Sequence, residues 1–405
     1  MKVSKARAAA LVLFAMLASF ARADSIMEWT ARADAIATDK RLLSPVHGRV
    51  LAIMHVAMFE AVNAIERRYA PYRLKLVADR NTSGEVAAAV AGHDVLVALY
   101  PDQESSLDAL LAETLNRVGE GSARQRGVIL GRKAAQGILE LRSSDGSDDV
   151  ETYRPVTQPG VYVPTALPVS STVGGFAPWV MASAGQFRPA APPALTSETW
   201  TRDLNEIREI GGLNSRTRIA EQTDIGKFWF LTGARTYNPI VQQIARYKHL
   251  DLLDTARLFA LVSMAGEDAY IAVFDAKYAF NFWRPVTAIR NADQDGNPAT
   301  ARDAGWVPLG DTPMHPEYPC AHCITSAAVA AVLRGVIGED IGEITLTSPT
   351  APGVVRRWTR LDDYRDEVSN ARIWAGFHYR FSTEVGKDMG RKIGELAVAT
   401  QLRPR

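Results

Sequence analysis

Two basic residues introduce the chemistry of this chain. Lys277 and Arg284, in "KYAFNFWRP", stand seven apart near the end of a helical pattern that Pro285 would stop. Seven residues fall about 20° short of two helical turns, so both cations belong to one face. Two like charges among Phe280, Phe282 and Trp283 are unfavourable unless an anion sits between them; a solvated basic stripe is the plainer alternative. A second piece, "HPEYPCAHC" at residues 315–323, holds both cysteines of the chain and two histidines. Pro319 fits just ahead of a helix, and Ile324, Ala328 and Val332 follow at helical spacing. The free amides and positive dipole end of a helix start favour anions, and His322 sits at that start. The third piece, "ARIWAGFHYRF", sets Arg372 and His378 six apart, about 120° from one another on a helix. They would flank one ligand without stacking.

The two sulfurs admit other chemistry. Cys-Ala-His-Cys looks like an oxidoreductase tetrapeptide, and a helix start would lower the pKa of Cys320. That chemistry wants a βαβ context, whereas helical patterns flank this stretch. Zinc wants four ligands, and only His315 and His322 are near. Haem attachment needs a histidine directly after the second cysteine, where Ile324 stands.

The elements that must position these residues are helices. No Val/Ile/Thr-rich stretch with sustained period-two alternation stands out. Residues 47–68 place Leu51, Met54, His55, Met58, Val62 and Ile65 on one face, and residues 84–100 and 123–142 repeat that character. Helical patterns return at 197–210, 241–253, 255–283, 323–337 and 362–400, the last with a break near Phe381. Residues 151–193 hold eight of the 21 prolines, with Gly160, Gly174 and Gly175. That excludes regular helix and predicts a long ordered connection over the surface. The chain reads as all-α, in one or two bundles joined across the proline-rich segment.

Taken together, Lys277-x6-Arg284-Pro285, Pro319-x-x-His322 and Arg372-x5-His378 resemble the signature of the vanadium-dependent haloperoxidase and type 2 phosphatidic acid phosphatase superfamily. "HPEYPCAH" resembles the histidine-proline stretch of the algal bromoperoxidase branch. "RVLAIMHVAMFEAVNAI" is similar to the first core helix of bacterial haloperoxidase-related proteins. The resemblance implies a helical double bundle: residues 24–150 as the first bundle, 151–195 as the connection, and 196–405 as the second bundle with the site. It implies vanadate, a phosphate-like oxyanion, as cofactor, with peroxide and halide as small-molecule substrates. By resemblance, Lys277, Arg284 and Arg372 surround the oxygens, Cys320 and Ala321 line the helix start, and His378 is the axial ligand to vanadium. His322 would be the acid–base partner. His315 matches a second histidine of the algal stretch, and Trp283, Ser382 and Glu384 are expected nearby. Two rivals share the cage: a phosphatase in which His378 attacks a phosphate ester and forms phosphohistidine, and a non-catalytic oxyanion-binding homologue.

Three positions depart from the pattern. The family's Pro-Ser-Gly-His reads Pro319-Cys320-Ala321-His322, so a hydroxyl donor becomes a weaker thiol. Ala371 stands where serine often precedes the arginine. Ser382 stands four residues after His378, where the motif often has Asp, leaving Glu384 as a substitute only if the chain bends favourably.

Composition bounds the rest. With 405 residues, 47% of them hydrophobic, the chain is long enough for one large core or two ordinary ones. Its 46 basic and 45 acidic residues give no net field to attract nucleic acid or an anionic membrane, so any anion site must be local. Lys2, Lys5 and Arg7, the apolar run 8–20 and Ala21-Arg22-Ala23 read as an export signal, with Asp24 the first mature residue. That run is too short for a membrane anchor, and no later stretch reads as long and apolar enough to span a bilayer. The expected location is periplasmic or secreted. In an oxidising compartment Cys320 and Cys323, three apart and the only cysteines, are expected to form a disulfide.

Overall fold

The computed structural model describes residues 24–405, so the export-signal reading of residues 1–23 lies outside them. Thirteen α-helices form among the described residues: α1 Ser25–Asp39, α2 Ser44–Glu66, α3 Gly84–Leu99, α4 Glu104–Val118, α5 Ser122–Leu141, α6 Glu198–Ile210, α7 Ala220–Phe228, α8 Ala234–Tyr247, α9 Leu252–Phe280, α10 Pro285–Arg290, α11 Ala321–Ile337, α12 Leu361–Trp374 and α13 Arg380–Thr400. The all-α expectation holds apart from one antiparallel hairpin, β1 Ile344–Thr347 and β2 Val355–Trp358, with Ile344 opposite Trp358. Strands of four residues are too short to show a sustained alternation.

The axis of the fold is α9. Asp251 caps its start, accepting from the Asp254 amide at 2.9 Å. At the other end Asn281 turns left-handed, with φ 49°, and stops it. The helix expected over 255–283 therefore ends at Phe280, and Arg284 falls beyond it as the residue capping α10. The helix expected over 241–253 lies earlier, as α8, because Gly233 opens it at φ 85° and His249 leaves helical space at φ 51°.

One apolar core runs through α1, α2, α3, α5, α8, α9 and α11 to α13. The α2 helix corrects an expectation: its composition is apolar enough to cross a membrane, with a mean hydropathy of 1.3. Yet 94% of its apolar window is buried inside the protein, so it is a core helix. His55 on α2 pins this core to α9. Its Nε2 lies 2.8 Å from Thr30 Oγ1 and its Nδ1 2.7 Å from Ser263 Oγ. Because the Thr30 hydroxyl donates to the Ile26 carbonyl, it accepts from the ring, and Ser263 supplies the other bond.

Close contact of α11 with α13 sets the far side of the site. Gly386, Gly390 and Gly394 recur every four residues on the inner face of α13. A Cβ would stand 2.7 Å from the Cys320 carbonyl oxygen at Gly386 and 2.5 Å from that of Ala328 at Gly394. At Gly390 it would run into the Ile324 carbonyl oxygen. A smaller cluster, with Trp200, Phe282, Trp283 and Tyr379, packs behind the site.

The proline-rich stretch does more than cross the surface. The buried Asp268 carboxylate on α9 accepts from the amides of Trp179, Val180 and Met181 at 2.7–2.8 Å. Val169 then donates to the Met314 carbonyl, which brings this stretch to the mouth of the site.

Two outcomes follow from this packing. Overpacking a core costs about 1–3 kcal/mol, more than the roughly 1 kcal/mol by which a helix favours Ala over Gly. Gly390→Ala should therefore lower the denaturant midpoint, since a backbone carbonyl cannot swing aside. Burial also holds His55 down to about 3, against about 6.5 in an unfolded chain. The neutral ring contributes stability above the unfolded value that is lost as pH falls toward the folded one. The slope is up to about 1.4 kcal/mol per pH unit. His55→Gln should lose stability less steeply than wild type between about pH 6 and pH 4; parallel declines in urea titrations would contradict the assignment.

Candidate oxyanion site

Lys277, Arg284 and Arg372 converge, though not by sharing helical faces. Lys277, on the last turns of α9, donates from Nζ to the carbonyls of Pro316 at 2.9 Å and Glu317 at 2.6 Å. Arg284 reaches the same stretch only because the chain turns at Asn281. Its Nε donates to the His315 carbonyl at 2.8 Å and its Nη1 to that of Phe377 at 3.1 Å. Arg372, in the last turn of α12, donates from Nη1 to the Trp229 carbonyl at 2.6 Å. Its guanidinium lies 4.7 Å from the centre of the Phe377 ring.

His378 is not on the helix that carries Arg372, contrary to the spacing argument. The α12 helix stops at Trp374, and Gly376, at φ 80°, turns the chain. A Cβ at Gly376 would meet the Trp306 ring at 2.9 Å, so the turn needs glycine for space and for conformation. The amides of Phe377 and His378 then both donate to the Arg372 carbonyl, which carries the imidazole back beside the arginine.

The hydrogen bonds of His378 fix its tautomer. Nε2 stands 3.3 Å from Arg284 Nη1. Arginine has donors and no acceptor, so Nε2 must offer its lone pair. The proton is then on Nδ1, which donates to Glu317 Oε1 at 2.7 Å. The Tyr379 amide donates to the same oxygen at 3.1 Å. Glu317 is the residue that the spacing of basic groups and histidines passed over. The available signal was that it is the only acid between His315 and Cys323. Glu384 does not take this part: it is exposed and pairs with Lys387 at 3.0 Å. Ser382 is fully buried beside Glu317, with no formed hydrogen bond to its hydroxyl among the described residues.

The remaining expected residues divide. His322 lies in the first turn of α11, beside Ala321 at the cavity wall. His315 places Nδ1 2.9 Å from Arg284 Nη2 and packs edge-on against Phe274. Cys320 is not a donor toward the cavity: its sulfur caps α11, accepting from the Cys323 amide at 3.2 Å, and is bonded to the Cys323 sulfur. Both cysteines are fully buried. Trp283 is a core residue behind the site, stacked on Trp200 at 5.8 Å, because its side chain leaves the backbone opposite to that of its neighbour Arg284.

A cavity of about 700 Å³ opens onto this arrangement. His315, His322, Arg372 and His378 form its polar wall, with Arg284 and Lys277 directly behind. Phe230, Phe274, Phe377, Tyr270 and Met314 form much of the rest, with Val169 and Ser170 of the proline-rich stretch and, at the exposed side, Asp311.

The electrostatics are uncompensated. Burial, together with Arg284 and Arg372, pushes Lys277 well below its usual range, and Glu317 opposes this. Burial lowers Arg284 to about 10 and Arg372 to about 9, the latter with Arg284 adding to the effect. His315, His322 and His378 all lie well below the ordinary histidine range, through burial first and the neighbouring cations second. Burial raises Glu317 to about 7 while Lys277 and Arg284 pull it down. Arg372 Nε and His322 Nε2 are buried without a partner among the described residues, as are Glu317 Oε2, Ser382 Oγ and Tyr270 Oη. An oxyanion answers the first two and the uncompensated charge, since it supplies acceptors and negative charge. The residues present thus fit vanadate or phosphate.

Known proteins share the sequence of the second half and the fold. The family model described as the VCPO second helical-bundle domain matches residues 257–404. Vanadium chloroperoxidase of Curvularia inaequalis is 30% identical over 272 residues, which cover 49% of this chain and 44% of that protein. The match thus spans less than half the length of that relative. Among solved structures, the first bacterial vanadium-dependent iodoperoxidase superposes with a TM-score of 0.80 at 24% identity, covering 94% of this chain and 97% of that one. A holo-type bacterial vanadium-dependent chloroperoxidase superposes with a TM-score of 0.70 at 18% identity, covering 88% and 92%. Sequence match and shared architecture together lead to one conclusion: residues 257–404 match the VCPO second helical-bundle domain, in a chain with the helical fold of the bacterial vanadium-dependent haloperoxidases.

Proposed function

We propose that the protein is a vanadium-dependent haloperoxidase-like enzyme, exported to the periplasm or beyond, that oxidises halide with peroxide. The observation that carries this reading is the burial of Lys277, Arg284 and Arg372 around one cavity wall with Glu317 as the one carboxylate among them. Such a group is costly unless an anion joins it. Bound vanadate supplies a Lewis-acidic centre that activates peroxide toward halide without changing oxidation state.

The residues of the chain bind, orient and move protons. Arg372 offers Nε to an oxyanion oxygen, and Lys277 and Arg284 add positive charge from behind the wall. His378 would hold the group through its Nε2 lone pair, which faces Arg284 Nη1 at 3.3 Å. His322 presents an unpartnered Nε2 on the same wall. Burial first and the neighbouring cations second hold His322 below its usual range; an anion would offset the second of these, so its proton affinity would rise on loading. That suits a group that takes a proton from one reactant and returns it to another. The aromatic part of the cavity wall limits water there, which strengthens each of these contacts.

Two measurements test this reading. A charge-assisted hydrogen bond contributes about 1.5–3 kcal/mol, so Arg372→Met should weaken orthovanadate binding roughly 10- to 100-fold in calorimetric titration. Its melting temperature should hold or rise, because an uncompensated buried charge is removed. Unchanged affinity would take Arg372 out of the site. Second, loading with orthovanadate should confer peroxide-dependent oxidation of at least one of iodide, bromide and chloride. If the loaded protein oxidises none while the untreated protein hydrolyses a phosphomonoester and vanadate inhibits it, the enzyme is a phosphatase using His378 as nucleophile.

A further inference from the structure

We propose that Glu317 is the positioning residue for His378. It performs the part that the family pattern gives to a carboxylate four residues after the histidine. The consequence for affinity rests on the oxyanion reading above; the tautomer does not.

Position 382, four residues after His378, is serine and cannot accept a proton as a carboxylate would. The imidazole is nevertheless not left to rotate. Glu317 Oε1 takes the Nδ1 proton at 2.7 Å, inside the range of a charge-assisted hydrogen bond. The residue is itself held from three directions, twice through its backbone and once at the carboxylate. The Glu317 amide donates to the Phe282 carbonyl at 2.8 Å, and its carbonyl accepts from Lys277 Nζ at 2.6 Å. The Tyr379 amide, one residue past the histidine, donates to the same Oε1. One residue thus ties the Lys277 end of α9 to the ring that faces the cavity.

Ser382 makes the exchange legible. It is fully buried on the first turn of α13, stands beside Glu317, and has no formed hydrogen bond among the described residues. An aspartate there would put two carboxylates side by side out of water, and both could not be charged. Glu317 and an acid at 382 are therefore alternatives, and this chain carries the first.

The role separates from a purely structural one by comparing two anions. Phosphate answers mainly to positive charge, so removing Glu317 should leave its affinity unchanged or increased. Vanadate also needs the Nε2 lone pair of His378, and loss of a ligand's hydrogen-bond partner typically costs about 10- to 100-fold. Glu317→Ala should therefore lower the ratio of vanadate to phosphate affinity by roughly that factor, and Glu317→Ala/Ser382→Asp should restore it. Long-range nitrogen NMR of the anion-free protein should show His378 protonated at Nδ1 in wild type and in the double variant. Glu317→Ala should lose that signature. A wild-type ring protonated at Nε2 would overturn the proposal, even if the alanine variant does not fold. So would an unchanged affinity ratio in Glu317→Ala, equal loss of both anions, or failure of Ser382→Asp to restore the ratio. If the wild-type signature is as expected but neither anion binds, the oxyanion reading fails and the pairing of Glu317 with His378 stands.

Discussion

Three basic side chains taken out of water around one cavity constrain everything else in this protein. Lys277, Arg284 and Arg372 share one nearby carboxylate, and each repels the others at short range where solvent cannot screen them. No arrangement of apolar packing removes that cost. The chain reduces it by spending backbone carbonyls: those of Pro316, Glu317, His315, Phe377 and Trp229 each accept from one of the three. Carbonyl dipoles hold the donors in place without cancelling the charge, so the site stays oriented and still demands an anion.

Those carbonyls come from segments with no regular structure, and this explains why the surrounding helices must be so well fixed. The stretch that contains Glu317 lies between the Asn281 turn and the start of α11, and the Gly376 turn delivers Phe377 and His378 from the other side. Each segment is anchored at both ends by a helix. The glycines on α13 let that helix lie against α11, so the His322 end of one and the His378 end of the other meet.

The helical class and the candidate groups of the site were legible in the sequence because they depend on short-range facts. Apolar periodicity marks core helices, and the types and spacings of Lys277, Arg284, His322, Arg372 and His378 match a known pattern. What was not legible depends on where the chain bends. Helical arithmetic put Lys277 with Arg284, and Arg372 with His378, on shared helices, yet Asn281 and Gly376 break both. Glu317 escaped notice because its neighbours mark a turn, and a turn acid is ordinarily solvated. Its value comes from a histidine 61 positions later. Trp283, expected in the surroundings of the site, packs behind it on Trp200. The β1–β2 hairpin carries too few residues to announce itself.

The α9 helix is also a mechanical element. It is 29 residues long and continuous from the Asp251 cap to the Asn281 turn. Ser263, which holds His55, and Lys277 are on the same rod, about 21 Å apart along its axis. A helix of this kind transmits displacement with little loss, since its hydrogen bonds resist extension along its length. A productive site tolerates errors of about 0.5 Å, so a small slip of α9 against α2 would be felt at Lys277 almost in full. The tolerance of the anion cage is thus set partly by a histidine on another helix that never approaches the cavity, as the alignment of an instrument is set at the far end of its rail.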